Sequence, residues 1–115
     1  MAFYKLEIYL PRTHLEQVCQ ALWQQDAGHI GRYDHCFCIT ETTGFWRPLP
    51  GAEPYNGQVG QLCSAPEYKL EVTCTGEQLA KTLQNVKQAH PYEEPVIYVT
   101  ELFATGLTDP KKLPE

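Results

Sequence analysis

Long apolar runs, long basic runs and the familiar catalytic signatures are all missing from this chain of 115 residues. No stretch approaches the ~20 apolar residues that a membrane-spanning helix requires, and no basic run exceeds Lys111–Lys112. With a formal net charge of −5, nucleic acid and anionic membranes are poor partners. There is no Walker loop, no G-x-G-x-x-G turn, no H-E-x-x-H helix and no G-x-S-x-G elbow, so the motif-bearing enzyme classes find no support. The five cysteines, Cys19, Cys36, Cys38, Cys63 and Cys74, are an odd set without a compact framework spacing. Reduced thiols in the cytoplasm fit that pattern better than a disulfide scaffold. Met1 to Leu10 alternates polar and apolar residues rather than placing a basic region before an apolar block, so no signal peptide is expected.

What is present is the balance of a globular protein, 43% hydrophobic and 20% charged, enough for one core but not two. Ala2 to Leu10 alternates with Tyr4, Leu6, Ile8 and Leu10 on one face, which predicts a strand. Pro11 ends it. Thr13 and Glu16 form a T-x-x-E capping box ahead of Leu15, Val18, Cys19 and Leu22, predicting a helix from about residue 13 to about residue 25, closed by Gly28. Tyr33 to Thr40 alternates again and predicts the second strand. From Glu41 to Gly60 there is no period but much proline and glycine, the mark of a long functional or mobile loop. Tyr68, Leu70, Val72 and Cys74 predict a third strand beginning near Gln58, irregular at Pro66. Thr75 and Gln78 repeat the capping box before a helix over 76–89 with Leu79, Leu83 and Val86 inward. Val96 to Leu102 closes the set. Residues 1–103 thus read as one domain, and 104–115 as a frayed tail.

The order βαββαβ points to an α+β, ferredoxin-like sandwich: a four-stranded antiparallel sheet with two helices on one face. Right-handed crossovers bring three segments to one end, namely Pro11 to His14, the loop Thr42 to Gly57, and His90 to Pro95, which reads HPYEEP. Pro91 and Pro95 restrict that last stretch to an extended path. Neighbours on an extended chain face opposite ways, so only one of Glu93 and Glu94 is expected beside His90. The ligand-binding candidates are His90, Tyr92, Glu93, Glu94, Arg47, Trp46, Tyr55 and His14, with Glu53 nearby. The alternative is that Trp46 and Tyr55 cover an open sheet edge while Glu93 and Glu94 pair with Arg47 as solvated charges. His90 and Glu93, with Cys36 and His35, are the metal candidates for a divalent ion. Cys36 and Cys38 share a strand face on this reading, but lack a second pair of ligands. Cys63 and Cys74 read as buried small hydrophobes. No residue is assigned a catalytic role.

The strings GHIGRYDHC (Gly28 to Cys36), GFWRPLPGAEPYNGQVG (Gly44 to Gly60) and HPYEEP, in that order and spacing, resemble the Ngg-interacting factor three (Nif three) family. More narrowly, residues 1–103 resemble the small domain inserted in its longer bacterial members, which also occurs alone in YqfO-like proteins. The resemblance implies a fold similar to CutA and to the PII signalling proteins. It carries over Gly28, Gly31, Tyr33 and Cys36; Gly44, Phe45, Arg47, Pro48, Gly51, Pro54, Tyr55, Gly57 and Gly60; and His90 to Pro95. The two-metal centre of the longer relatives lies in a flanking domain that this sequence does not contain, so the resemblance carries over no enzyme label; a small binding or regulatory module is the first reading, with a structural interaction domain without ligand and, after it, a hydrolase-type enzyme as the alternatives. An acidic residue is usual in the family soon after Gly60, where this chain has Gln61, Leu62 and Cys63. By analogy with CutA and PII proteins, self-association as a trimer is expected, with an edge-paired dimer as the competitor, and with a small ligand or divalent metal as the other partner.

Overall fold

The computed structural model describes residues 2–115. The elements run β1 (Phe3–Pro11), a 3-10 turn (Arg12–His14), α1 (Leu15–Gln24), β2 (Cys38–Trp46), β3 (Cys63–Thr75), α2 (Gly76–Ala89), β4 (Ile97–Leu102) and a second 3-10 turn (Pro110–Lys112). The sheet has the order β2-β3-β1-β4 with every neighbouring pair antiparallel. This is the ferredoxin-like sandwich that the element order predicts.

Strand alternation builds the core. Leu6, Ile8 and Leu10 of β1 lie opposite Val72, Leu70 and Tyr68 of β3, and all but Tyr68 are buried against the helices. From α1, Val18, Cys19, Ala21 and Leu22 close over them, and Val86 does so from α2. Each fully buried leucine, isoleucine or valine among these contributes about 1.5–3 kcal/mol. Thr75 and Gln78 do form a reciprocal capping box at the start of α2. The one expected at Thr13 and Glu16 does not form. Instead the chain leaves Pro11 through the 3-10 turn, His14 takes the cap position without a side-chain cap bond, and the Thr13 hydroxyl meets His14 Nδ1 at 2.9 Å.

The second strand also starts later than its alternation suggests, at Cys38 rather than Tyr33. His35, inside the expected strand, takes a positive φ of 57°, which an alternating strand cannot accommodate. The strand then runs on through Thr42, Thr43, Phe45 and Trp46, β-forming residues inside the stretch expected to be loop. Its partner β3 correspondingly starts at Cys63, not near Gln58. The pairing of β1 with β3 ends at Pro11 and Glu67, whereas Thr43 to Trp46 pair onward with Pro66 to Cys63. A two-stranded arm therefore projects past the sheet. Pro66 falls in this arm, where β3 has a neighbour on one side only, and so is tolerated.

At the opposite end, the Gly28 N–H donates to the Thr73 carbonyl (2.8 Å) and the Cys36 N–H to the Gly28 carbonyl (2.9 Å). The α1-to-β2 turn is thereby tied to β3. In the last segment the Leu107 methyls come within 3.8 Å of where a Cβ on Gly31 would stand. Among the described residues no helix is long and apolar enough to cross a membrane.

Candidate functional site

The arm, the loop that follows it and the HPYEEP segment meet around a cleft of about 630 Å³. Trp46, Arg47, Tyr55, Tyr92, Glu93 and Glu94 all line it, as the sequence led us to expect. Both glutamates do so because residues 92–94 bend rather than run extended. No ion pair joins either to Arg47 among the described residues. Glu93 instead accepts the Glu53 backbone N–H through both oxygens, at 3.1 and 3.3 Å, which fastens the loop over the cleft. Trp46 donates its indole N–H to the Asn56 carbonyl at 3.0 Å and folds the same loop back on the arm.

His90 and His14 do not line the cleft. His90 is only 6% exposed, and both ring nitrogens are engaged. Nε2–H donates to the Tyr9 carbonyl (2.7 Å) and Nδ1 accepts the Tyr92 N–H (3.2 Å), a network that assigns the neutral Nε2–H tautomer. Burial holds its pKa below the ordinary value, against the weaker opposite pull of the Tyr9 carbonyl and Glu67. His90 is thus a brace between the HPYEEP segment and β1. His14 packs edge-on to Tyr55 at 5.8 Å, continuing an aromatic row through Tyr92 (5.9 Å from Tyr55) to His90 (4.8 Å from Tyr92).

The metal set expected from sequence is not brought together. His35 and Cys36 sit in the turn at the far end of the sheet, His35 against the Trp23 ring at 4.3 Å and Cys36 donating its thiol weakly to the Asp34 carbonyl. Cys36 lies outside β2, so it shares no strand face with Cys38. Among the described residues no group of three or more His, Cys, Asp or Glu side chains is placed to hold a metal ion. Cys74 and Cys19 are buried, and burial raises both thiols; Cys63, by contrast, is half-buried at the arm. All five cysteines are free.

One residue of the cleft escapes sequence reasoning altogether. Glu67 falls on the strand face with Lys69 and Glu71, which alternation marks as solvent-facing, yet it is only 6% exposed. HPYEEP covers it: the Tyr92 hydroxyl donates to Glu67 Oε2 at 2.6 Å. Burial, with the neighbouring carboxylate, pushes the Tyr92 hydroxyl well above its ordinary pKa, so it stays a donor. The other oxygen, Oε1, occupies the space that any side chain at Gly44 would fill. The glycine of the GFW string is there for that close approach.

No family model matches the chain. A GTP cyclohydrolase 1 type 2 homolog from Halalkalibacterium halodurans is 37% identical over 107 residues, which is 93% of this chain and 29% of that protein. A Bacillus cereus protein related to NIF3 superposes with a TM-score of 0.78 at 34% identity, over 90% of this chain and 26% of its own. The chain is homologous to a portion of the NIF3-related proteins. It spans less than a third of the length of these NIF3-related chains. The periplasmic divalent cation tolerance protein CutA from Archaeoglobus fulgidus shares the fold, with a TM-score of 0.66 over 90% of this chain and 86% of its own, at 19% identity. The CutA-like sandwich is therefore common to this chain and to a CutA that it matches almost end to end.

Proposed function

We propose that this protein is a small, self-associating binding or regulatory module of the CutA and PII kind, and that it takes a small organic ligand in the cleft beneath the arm. The observation that carries this reading is the convergence of two sequence-distant motifs, residues 44–60 and HPYEEP, on one cleft of ligand size. An organic ligand fits better than a metal ion because His90, the strongest metal candidate in the sequence, has both ring nitrogens bonded within the protein. A divalent ion held by Glu93 and Glu94 alone is the second reading, suggested by the name of the divalent cation tolerance protein from Archaeoglobus fulgidus that shares the fold. Self-association is supported by the sheet face turned away from the helices. There Tyr9 and Tyr98 stack edge-on at 6.2 Å, and Lys69 bridges Glu71 (3.1 Å) and Glu7 (3.9 Å) with no second layer above among the described residues. A trimer is the favoured assembly and a dimer through the open β2 edge the competitor. Five free thiols agree with a cytoplasmic setting.

Native mass spectrometry of protein purified without a histidine tag tests both halves together. A trimer carrying an added organic mass supports the module. A monomer with nothing bound under any condition overturns it and leaves the motifs as folding requirements.

A further inference from the structure

Resting on the reading of this cleft as a small-molecule site, we propose that its ligand is an organic cation bearing N–H donors, an ammonium or amidinium group on a flat or aliphatic body, bound through Glu67. The charges of the lining point that way. Glu67, Glu93 and Glu94 face Arg47 alone as counter-charge, and Arg47 is exposed at the rim while Glu67 is nine-tenths buried at the base. An anion entering the cleft meets a carboxylate at its floor.

Glu67 is the group that most directly calls for such a cation. Its Oε2 takes the single proton that the Tyr92 hydroxyl can give, and its Oε1 accepts no hydrogen bond from any described residue. Nor is that oxygen sealed off, since Thr82 Oγ1 is the sole buried side-chain polar atom left without a partner among the described residues. A carboxylate so far withdrawn from water is costly to hold with one partner and gains most from a charged donor. A ligand N–H supplies that donor, and the Gly44 gap leaves the carboxylate room to keep its position. The walls suit the rest of such a molecule. Trp46, Tyr55 and Tyr92 line the cleft with aromatic rings, the side chains that attract a cation, and Pro48, Leu49 and Val96 line it with apolar surface for its body. Glu93 contributes charge, and both its oxygens are already turned to the Glu53 amide.

Isothermal titration at neutral pH with three probes of similar size tests this: benzamidine, which is a cation with N–H donors; benzyltrimethylammonium, a cation without them; and benzoate, an anion. Benzamidine is expected to bind about tenfold or more tighter than either of the others, and Glu67→Gln to erase its advantage over benzyltrimethylammonium. Benzoate binding as tightly as benzamidine overturns the cation assignment while leaving a ligand cleft in place, now served by Arg47. Equal binding of the two cations overturns the Glu67 contact. Failure of all three probes to bind overturns the small-molecule reading itself. The wild-type comparison stands without any variant; should Glu67→Gln fail to fold, Glu94→Gln at the exposed rim is expected to weaken both cations and spare benzoate.

Discussion

At the Gly28–Cys36 end of the sheet and at the HPYEEP end, the chain places similar residue types to opposite purpose. The first has two histidines, a cysteine and two glycines in nine residues, and its backbone is what holds it. Gly28, Gly31 and His35 take positive φ, Gly28 and Cys36 bond main chain to main chain, and His35 lies on Trp23. The second has one histidine, and its side chains carry the structure: His90 braces β1, Tyr92 covers Glu67, and Glu93 holds the loop. A histidine beside a cysteine is thus a weak sign of chemistry when the backbone around it needs special φ values. A buried carboxylate under a tyrosine, with a cleft above, is a stronger one.

The largest effect is expected at the first end. In Gly28→Ala the new Cβ meets the Cys36 carbonyl oxygen at 2.7 Å and its nitrogen at 3.1 Å, at a φ of 86°. Left-handed strain and the clash with backbone together cost about 2–3 kcal/mol, read as a lower urea midpoint with unchanged m. Binding in the cleft by the folded fraction should be unaffected. At the second end, His90→Ala leaves the Tyr9 carbonyl and the Tyr92 amide without partners, at a cost of about 2 kcal/mol, and here cleft binding should weaken along with stability.

The two ends should also respond to pH with opposite sign. The folded pKa of His90 lies below its ordinary 6.5, so the unfolded chain takes up the proton first. Its contribution is fully present above 6.5 and is lost as pH falls through that value toward the folded pKa. Protonation would set Nδ1–H against the Tyr92 N–H that it now accepts. His29 is the reverse case. Hydrogen bonds to Asp26 and the Gly31 carbonyl, with the Asp26 charge, raise its pKa, so its contribution is present below the ordinary value and lost as pH rises through the raised one. Being exposed, it gives the smaller effect. Urea melts from pH 5 to 8 on His90→Gln and His29→Gln separate the two: the first should flatten the acid-side loss of stability, and the second should change the curve slightly in the opposite sense. The smallest expected effect is Glu93→Gln, which should leave global stability within about 0.5 kcal/mol while speeding hydrogen exchange at the Glu53 amide.

Much of this was legible in the sequence where local physics and tertiary fold agree. The alternation of β1, the apolar spacing of both helices and the Thr75–Gln78 capping box place the elements, and handed crossovers place three segments at one end. Legibility failed where a long-range contact overrides the local pattern. Tyr33 to Phe37 alternates like a strand, yet the Gly28–Cys36 bond turns it into a loop. Thr42 to Trp46 lies among glycines and prolines like a loop, yet pairs with β3. Glu67 sits at a position that reads as solvent-facing, and nothing within the strand signals that a segment some 25 residues later will bury it. The same holds for His90, whose residue type suggests a ligand but whose two partners lie on β1 and within its own turn.

An amide-resolved ¹H–¹⁵N titration with benzamidine tests most directly whether binding belongs to one end and folding to the other. Shifts are expected only at residues 44–56, Glu67 and residues 92–96, with the Gly28–Cys36 turn silent. Shifts centred on that turn, or spread without preference over the sheet, would contradict that division.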